Sequence, residues 1–282
     1  KTGRTHLMDA MPIDFSQELS GWSAQLKTVE RSIVSASKEM AQLPQGGTAI
    51  GTGVNAHKDF GKVFASEVSK LTKLNVKTSI NYFKSLSAQD SAAQLSSSVK
   101  NLSLVLTKIS NDLRWMNSGP LTGLGEIELE ALQPGSSIMP GKVNPVIPEA
   151  VAMACADVIG NDVTVSIGSQ SGNFQLNVML PVIAYNLLKS ISLMSNSMPL
   201  LANKAIKTFK INKKNIAESL GMNPILVTAL NREIGYEKAA HIAKKAYKEK
   251  RPIIDVAHEE TGLPLKKLKT LLNPAKLTKG GV

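Results

Sequence analysis

A chain of 282 residues is long enough for one large domain or two ordinary ones, and it can bury a core without metals or disulfides. Hydrophobic residues make up 43% and charged residues 20%, which excludes a globally disordered chain. The net charge of +11 gathers at the end: residues 204–282 hold 17 Lys and Arg against 7 Asp and Glu, while 1–203 are nearly neutral. The single cysteine, Cys155, excludes a disulfide framework and any cysteine-based zinc cluster, and it suits a reducing compartment. The C-terminal lysines are scattered singly or in pairs, with only Phe209, Tyr236 and Tyr247 among them. That is too few aromatics for a base-stacking platform, so the lysines read as a solvated face and no nucleic-acid partner is expected. The longest apolar stretch, Val178 to Leu188, is broken by Pro181 and Asn186, and no membrane span is expected. The chain opens on Lys1 rather than Met, with no signal-type segment after it, and reads as an excerpt or processed product of something longer.

In chain order the periodicity is helical almost throughout. Phe15, Leu19, Trp22, Leu26, Val29 and Ile33 alternate steps of four and three, which is a heptad seam. Phe60, Val63, Phe64, Val68, Leu71 and Leu74 mark a shorter helix. A longer one carries Ala92, Leu95, Val99, Leu102, Leu106, Ile109, Leu113 and Met116, with Leu104 and Val105 off the seam as a hint of a second buried face. The turn Asn117-Ser118-Gly119-Pro120 ends it and opens a long connection to Pro148. A helix is expected from Pro148 to about Ile167, with Val151, Cys155 and Val158 inward. The next run goes from Leu176 through Leu180, Ile183, Leu187, Ile191, Met194 and Met198 to Leu201. After Lys210 the segments shorten. The expected architecture is all-α: a long-helix bundle over 1–210 that associates with other copies, then a small helical C-terminal domain over 211–282.

The stretch richest in chemistry is Gly135-Ser136-Ser137-Ile138-Met139-Pro140-Gly141-Lys142-Val143-Asn144-Pro145. Its glycines permit close approach to a ligand, its hydroxyls move protons, and Lys142 and Asn144 can hold a carboxylate. It is not a phosphate-cradling Walker loop, because the glycine spacing is one residue too long and Val143 follows the lysine. On spacing alone it reads equally as an anion-binding loop or as an ordinary polar connection.

As a whole string it resembles the signature of the fumarase/aspartase superfamily, GSSxMPxKxN. Gly3-Arg4-Thr5-His6-Leu7-Met8-Asp9-Ala10-Met11-Pro12 and Gly46-Gly47-Thr48-Ala49-Ile50-Gly51-Thr52-Gly53-Val54-Asn55 are similar to two further blocks of that superfamily. Gly172-Asn173-Phe174-Gln175-Leu176-Asn177-Val178 resembles class II fumarases more than aspartases. Met8 and Ser16 depart from the usual residues, which keeps an aspartate ammonia-lyase as an alternative; an inactive bundle-forming fragment is a separate one.

The resemblance implies a lyase that interconverts fumarate and (S)-malate, with no cofactor, in a homotetramer whose sites draw on three subunits. It assigns catalysis to Ser136, His6 and Glu149, with Glu149 orienting the His6 ring. It assigns substrate contacts to Thr5, Ser137, Lys142, Val143 and Asn144. It also implies a substantial N-terminal region with further substrate-binding residues, absent from this sequence. Taken alone, Glu149 reads equally as a carboxylate suiting the start of a helix. His57, His241 and His258 lack any such context and read as surface or packing residues. No His/Asp/Glu cluster has metal-ligand spacing, so no metal is expected. The compartment is expected to be the cytoplasm, or the mitochondrial matrix in a eukaryote.

Overall fold

The structure is a computed structural model and describes residues 1–280. It is predominantly helical. The chain divides into two compact units, one built from residues 1–22, 115–129 and 209 onward, the other from 23–114 and 130–208.

The second unit contains the long helices. These are α1 (Phe15–Met40), which starts in the first unit, α5 (Asp90–Met116), α6 (Val146–Gln170) and α7 (Leu180–Leu201). Shorter elements precede α5: β3 (Gln42–Leu43), α2 (Thr48–Gly51), α3 (Phe60–Thr72), β4 (Lys77–Thr78) and α4 (Tyr82–Ser87). β3 and β4 pair in parallel. The expected seam of α5 is buried at every position from Ala92 to Met116. Off that seam, Leu104 is half exposed. In α6 the expected Val151, Cys155 and Val158 all face the core.

Three elements differ from their expected bounds or faces. α6 opens at Val146, two residues before Pro148, after Pro145. α7 begins at Leu180, because Pro181 supplies a first-turn residue that needs no N–H partner, while Leu176 lies in a bridge with Asn173. α3 forms as a helix, but it buries Gly61 and Ala65 and leaves Phe60, Val63 and Leu71 exposed. One helix bears on the membrane expectation. α6 is long and apolar enough, by composition, to cross a bilayer. Its packing against α7 and its buried Asn161 and Asp162 make it a core helix of a bundle.

Two buried polar side chains tie elements of this unit together, while Ser110 Oγ, Asn161 Nδ2 and Thr208 Oγ1 are buried without a hydrogen-bond partner. Asp162, 4% exposed, accepts the Ser96 hydroxyl at 2.7 Å and the Lys100 ammonium at 2.6 Å, tying α5 to α6. Asn177, fully buried, clamps the α6–α7 connection. Its Nδ2 donates to the carbonyls of Gly168 (3.0 Å) and Ser169 (3.1 Å), and its Oδ1 accepts the Met179 amide at 2.8 Å.

The first unit opens with a hairpin, β1 (Thr2–Thr5) and β2 (Met8–Pro12), that the helical reading did not anticipate. β5 (Ile127–Glu128) pairs antiparallel with β6 (Lys210–Ile211). Short helices follow: α8 (Lys213–Met222), α9 (Asn231–Ile234), α10 (Tyr236–Glu249), α11 (Ile253–Thr261), α12 (Leu265–Leu271) and α13 (Pro274–Leu277), with a 3-10 turn at Pro224–Leu230. Asn212, Asn223 and Asn273 each cap one of these segments through the side-chain oxygen. Leu226, Leu230, Ile242, Ile253, Val256 and Leu268 form their shared core. The lysines lie outside it, nearly all of them exposed, and Lys245 pairs with Glu259 and Glu260.

Candidate active site

Thr5 and His6 sit at the tip of the β1–β2 hairpin. Thr5 pairs with Met8, so His6 and Leu7 form a two-residue loop with φ of 53° and 61°. Positive φ at both central positions is the I′ turn that suits strand twist, and it ordinarily takes Asn or Gly. Here two bulky side chains occupy it, and both are exposed. The register shifts between Thr2 and Arg4, where Gly3 comes so close that a Cβ would lie 2.7 Å from the Met11 carbonyl. Asn223, 2% exposed, holds the hairpin by donating to the Ala10 carbonyl at 2.9 Å.

The second group lies in the loop ahead of α6. The Gly135 amide donates to the Lys142 carbonyl at 2.8 Å, and Asn144 Nδ2 donates to the Gly135 carbonyl at 3.0 Å. These bonds close residues 135–144 into a ring. A Cβ on Gly135 would sit 2.6 Å from the Lys142 carbonyl oxygen, so glycine is required by space there. Inside the ring the amides of Ile138 and Met139 donate to Ser136 Oγ at 3.3 and 3.2 Å. Two N–H dipoles aimed at one hydroxyl oxygen favour negative charge on it. Ser136, Lys142 and Val143 line a cavity of about 450 Å³. Lys142 and Ser137 are exposed. One N–H of Asn144 is spent on Gly135, which leaves its second for a ligand. Glu149 lies in the first turn of α6, where its negative charge complements the helix dipole.

The loop thus gathers Ser136, Ser137, Lys142, Val143 and Asn144, with Glu149 a turn beyond. Thr5 and His6 belong to the other unit. The sequence named the residues of the loop but not the Ile138 and Met139 amides, since backbone direction leaves no mark in residue type. The hairpin went unseen because His6-Leu7 lacks the Asn-Gly signal that announces such turns. His57 and His241 are exposed, and His258 Nδ1 lies 2.7 Å from the Leu263 carbonyl. Among the described residues no group of three or more His, Cys, Asp or Glu side chains is placed to hold a metal ion.

Two family models match the chain: one described as Lyase over residues 1–160, and one described as Fumarase C C-terminus over residues 226–279. A Pseudomonas aeruginosa protein named fumarate hydratase class II 2 is 58% identical over 282 residues, all of this chain and 62% of that protein. The Bacillus subtilis fumarate hydratase class II is 43% identical over 279 residues, 99% of this chain and 60% of its own length. The chain therefore spans about 60% of the curated relatives it matches. Among solved structures, the class II fumarase of Schistosoma mansoni superposes with a TM-score of 0.93 at 35% identity, covering 99% of this chain and 61% of that one. A fumarate lyase:delta crystallin from Brucella melitensis, bound to cobalt, gives 0.93 at 38% identity, with 99% and 60% covered. The chain belongs to the Lyase family, and its last segment is a fumarase C C-terminus.

Proposed function

We propose that this chain is part of a class II fumarate hydratase, which interconverts (S)-malate and fumarate in the tricarboxylic acid cycle. The observation that carries the reading is the closed loop in which two backbone amides donate to Ser136 Oγ. The names and identities of the relatives support it.

The difficult step removes a proton from the carbon next to a carboxylate. Ser136 Oγ takes that proton. A serine can act as a base only when its alkoxide is stabilised, and the Ile138 and Met139 amides supply that stabilisation. The electron pair left on carbon spreads onto the neighbouring carboxylate as an enediolate. Lys142 and Asn144 hold that growing charge, with Ser137 and Val143 lining the same face. In the assembled oligomer, on the opposite face, His6 assisted by Thr5 gives the departing hydroxyl its proton, and Glu149 is the carboxylate assigned to orient such a ring. Loss of water completes an anti elimination, and the reverse sequence hydrates fumarate. No step asks for a cofactor.

The partner in this reading is more of the same chain. α6 exposes Met153, Val163 and Ile167, and α7 exposes Leu180, Tyr185 and Leu188. Apolar helix faces of this kind are covered in a homotetramer, whose sites draw their motifs from three subunits. We place the protein in the cytoplasm, where the buried thiol of Cys155 stays reduced.

The test is optical. Malate added to the full-length protein should raise the ultraviolet absorbance of the fumarate double bond. Release of ammonia from aspartate, with no response to malate, would replace the reading by an aspartate ammonia-lyase.

A further inference from the structure

We propose that Glu126 is a positioning residue: its buried carboxylate, by holding Arg4, fixes the hairpin that presents Thr5 and His6. The inference rests on the catalytic reading of His6.

The His6-Leu7 turn does not hold itself. Two non-glycine residues at positive φ are strained, and such strain persists only where the surroundings impose it. What imposes it here is ionic. Arg4, two residues before His6, places NH1 2.8 Å from Glu126 Oε1. Lys1 Nζ lies 3.2 Å from Glu126 Oε2 and 3.0 Å from Glu18 Oε2. The side chains of Lys1 and Glu126 are each 6% exposed, and that of Arg4 is 17% exposed. Glu126 Oε2 has no hydrogen-bond partner, so the carboxylate is held as an ion pair, and a buried charge that lost Arg4 would be left uncompensated at high cost.

Glu126 is also a fixed post. Its amide donates to the Met116 carbonyl at 2.8 Å, and its carbonyl accepts the Asn212 amide at 2.9 Å. It adjoins β5, which is paired with β6. One rigid strand end thus grips β1 one residue away from Thr5. From the other side Asn223 grips β2 at Ala10. The charges balance within the cluster, with Lys1 and Arg4 facing Glu18 and Glu126. Glu126 therefore acts on chemistry only through where Arg4 and the turn are held.

The experiment uses the full-length protein. Glu126→Gln should lower kcat for malate about 10²-fold, the loss that follows a misplacement of about 1 Å. Hydrogen exchange should accelerate in the peptide covering residues 1–13 and not in the one covering 135–145. A second variant, Lys1→Met/Glu126→Gln, restores the charge balance but still leaves Arg4 without its carboxylate. Its kcat should stay low. Recovery to the wild-type rate would show that only charge balance mattered and would overturn the proposal. So would a Glu126→Gln protein with wild-type kcat and exchange while His6→Asn loses about 10²-fold or more. Should Glu126→Gln fail to fold, Glu126→Asp keeps the charge but shortens the reach: reduced kcat supports the proposal and wild-type kcat overturns it. A fully active His6→Asn would sink the catalytic reading instead, and the exchange data would then still report whether Glu126 holds the turn.

Discussion

Asn177→Ala tests how the α6–α7 connection is held. Asn177 is fully buried and makes three side-chain hydrogen bonds, two donated to the last carbonyls of α6 and one accepted from the amide that opens α7. A neutral hydrogen bond is worth about 1 kcal/mol net, so the three together come to about 3 kcal/mol. Alanine would also leave Gly168 O, Ser169 O and Met179 N without this partner in a partly buried site, which pushes the loss towards about 4 kcal/mol. The Asn177 backbone amide still donates to the Leu86 carbonyl at 3.0 Å, so the loop remains anchored and the fold survives. Urea unfolding followed by circular dichroism should show a lower midpoint at unchanged slope. Asn177→Asp should lose more at neutral pH, because a carboxylate would face two carbonyl oxygens. A loss below about 1 kcal/mol for the alanine variant would refute the claim that these bonds are exchanged for nothing better.

Three further outcomes follow from particular groups. Asp162→Asn keeps an acceptor for Ser96 but strips the carboxylate from Lys100, whose side chain is 31% exposed and can turn to water. Its cost should be about 2 kcal/mol by denaturant unfolding, below the about 3–5 kcal/mol of a fully buried broken pair. Burial pushes the Cys155 thiol up, outweighing a hydrogen bond with Thr107, so iodoacetamide should label it only on unfolding; labelling of the folded protein would contradict its burial. Hydrogen bonds from Lys245, then Arg251, hold the Glu259 carboxyl below its ordinary range. A depressed carboxylate stabilises above its unfolded pKa and loses that contribution as pH falls through its folded value. The difference in thermal midpoint between the native protein and Glu259→Gln should therefore shrink in acid and in high salt, and a difference that grew in acid would reverse the sign.

Much of the bundle is legible in the sequence because heptad seams report burial directly. The eight seam positions from Ala92 to Met116 all lie inside. The same logic fails for α3, where Gly61 is buried in a close approach to Gln45 and Tyr82, and the apolar stripe of Phe60, Val63 and Leu71 stays outside. The hairpin is illegible for a different reason: its strands are short, its turn lacks Asn-Gly, and Glu126, the carboxylate that pairs with Arg4, lies more than a hundred residues away. The loop 135–144 is legible as a string. Its chemistry depends on two amides and one carbonyl whose directions only the folded backbone reveals. The C-terminal lysines, read as solvated, are exposed almost without exception, and two of them, Lys245 and Lys267, pair with Glu260 and Glu233.

The central claim is that Ser136 Oγ, charged under the Ile138 and Met139 amides, takes the proton from malate. Turnover of malate by the full-length Ser136→Ala protein, at unchanged oligomeric state, tests it most directly. A fall of about 10²–10⁴ is the expected result. A rate within a few-fold of the native protein would contradict it.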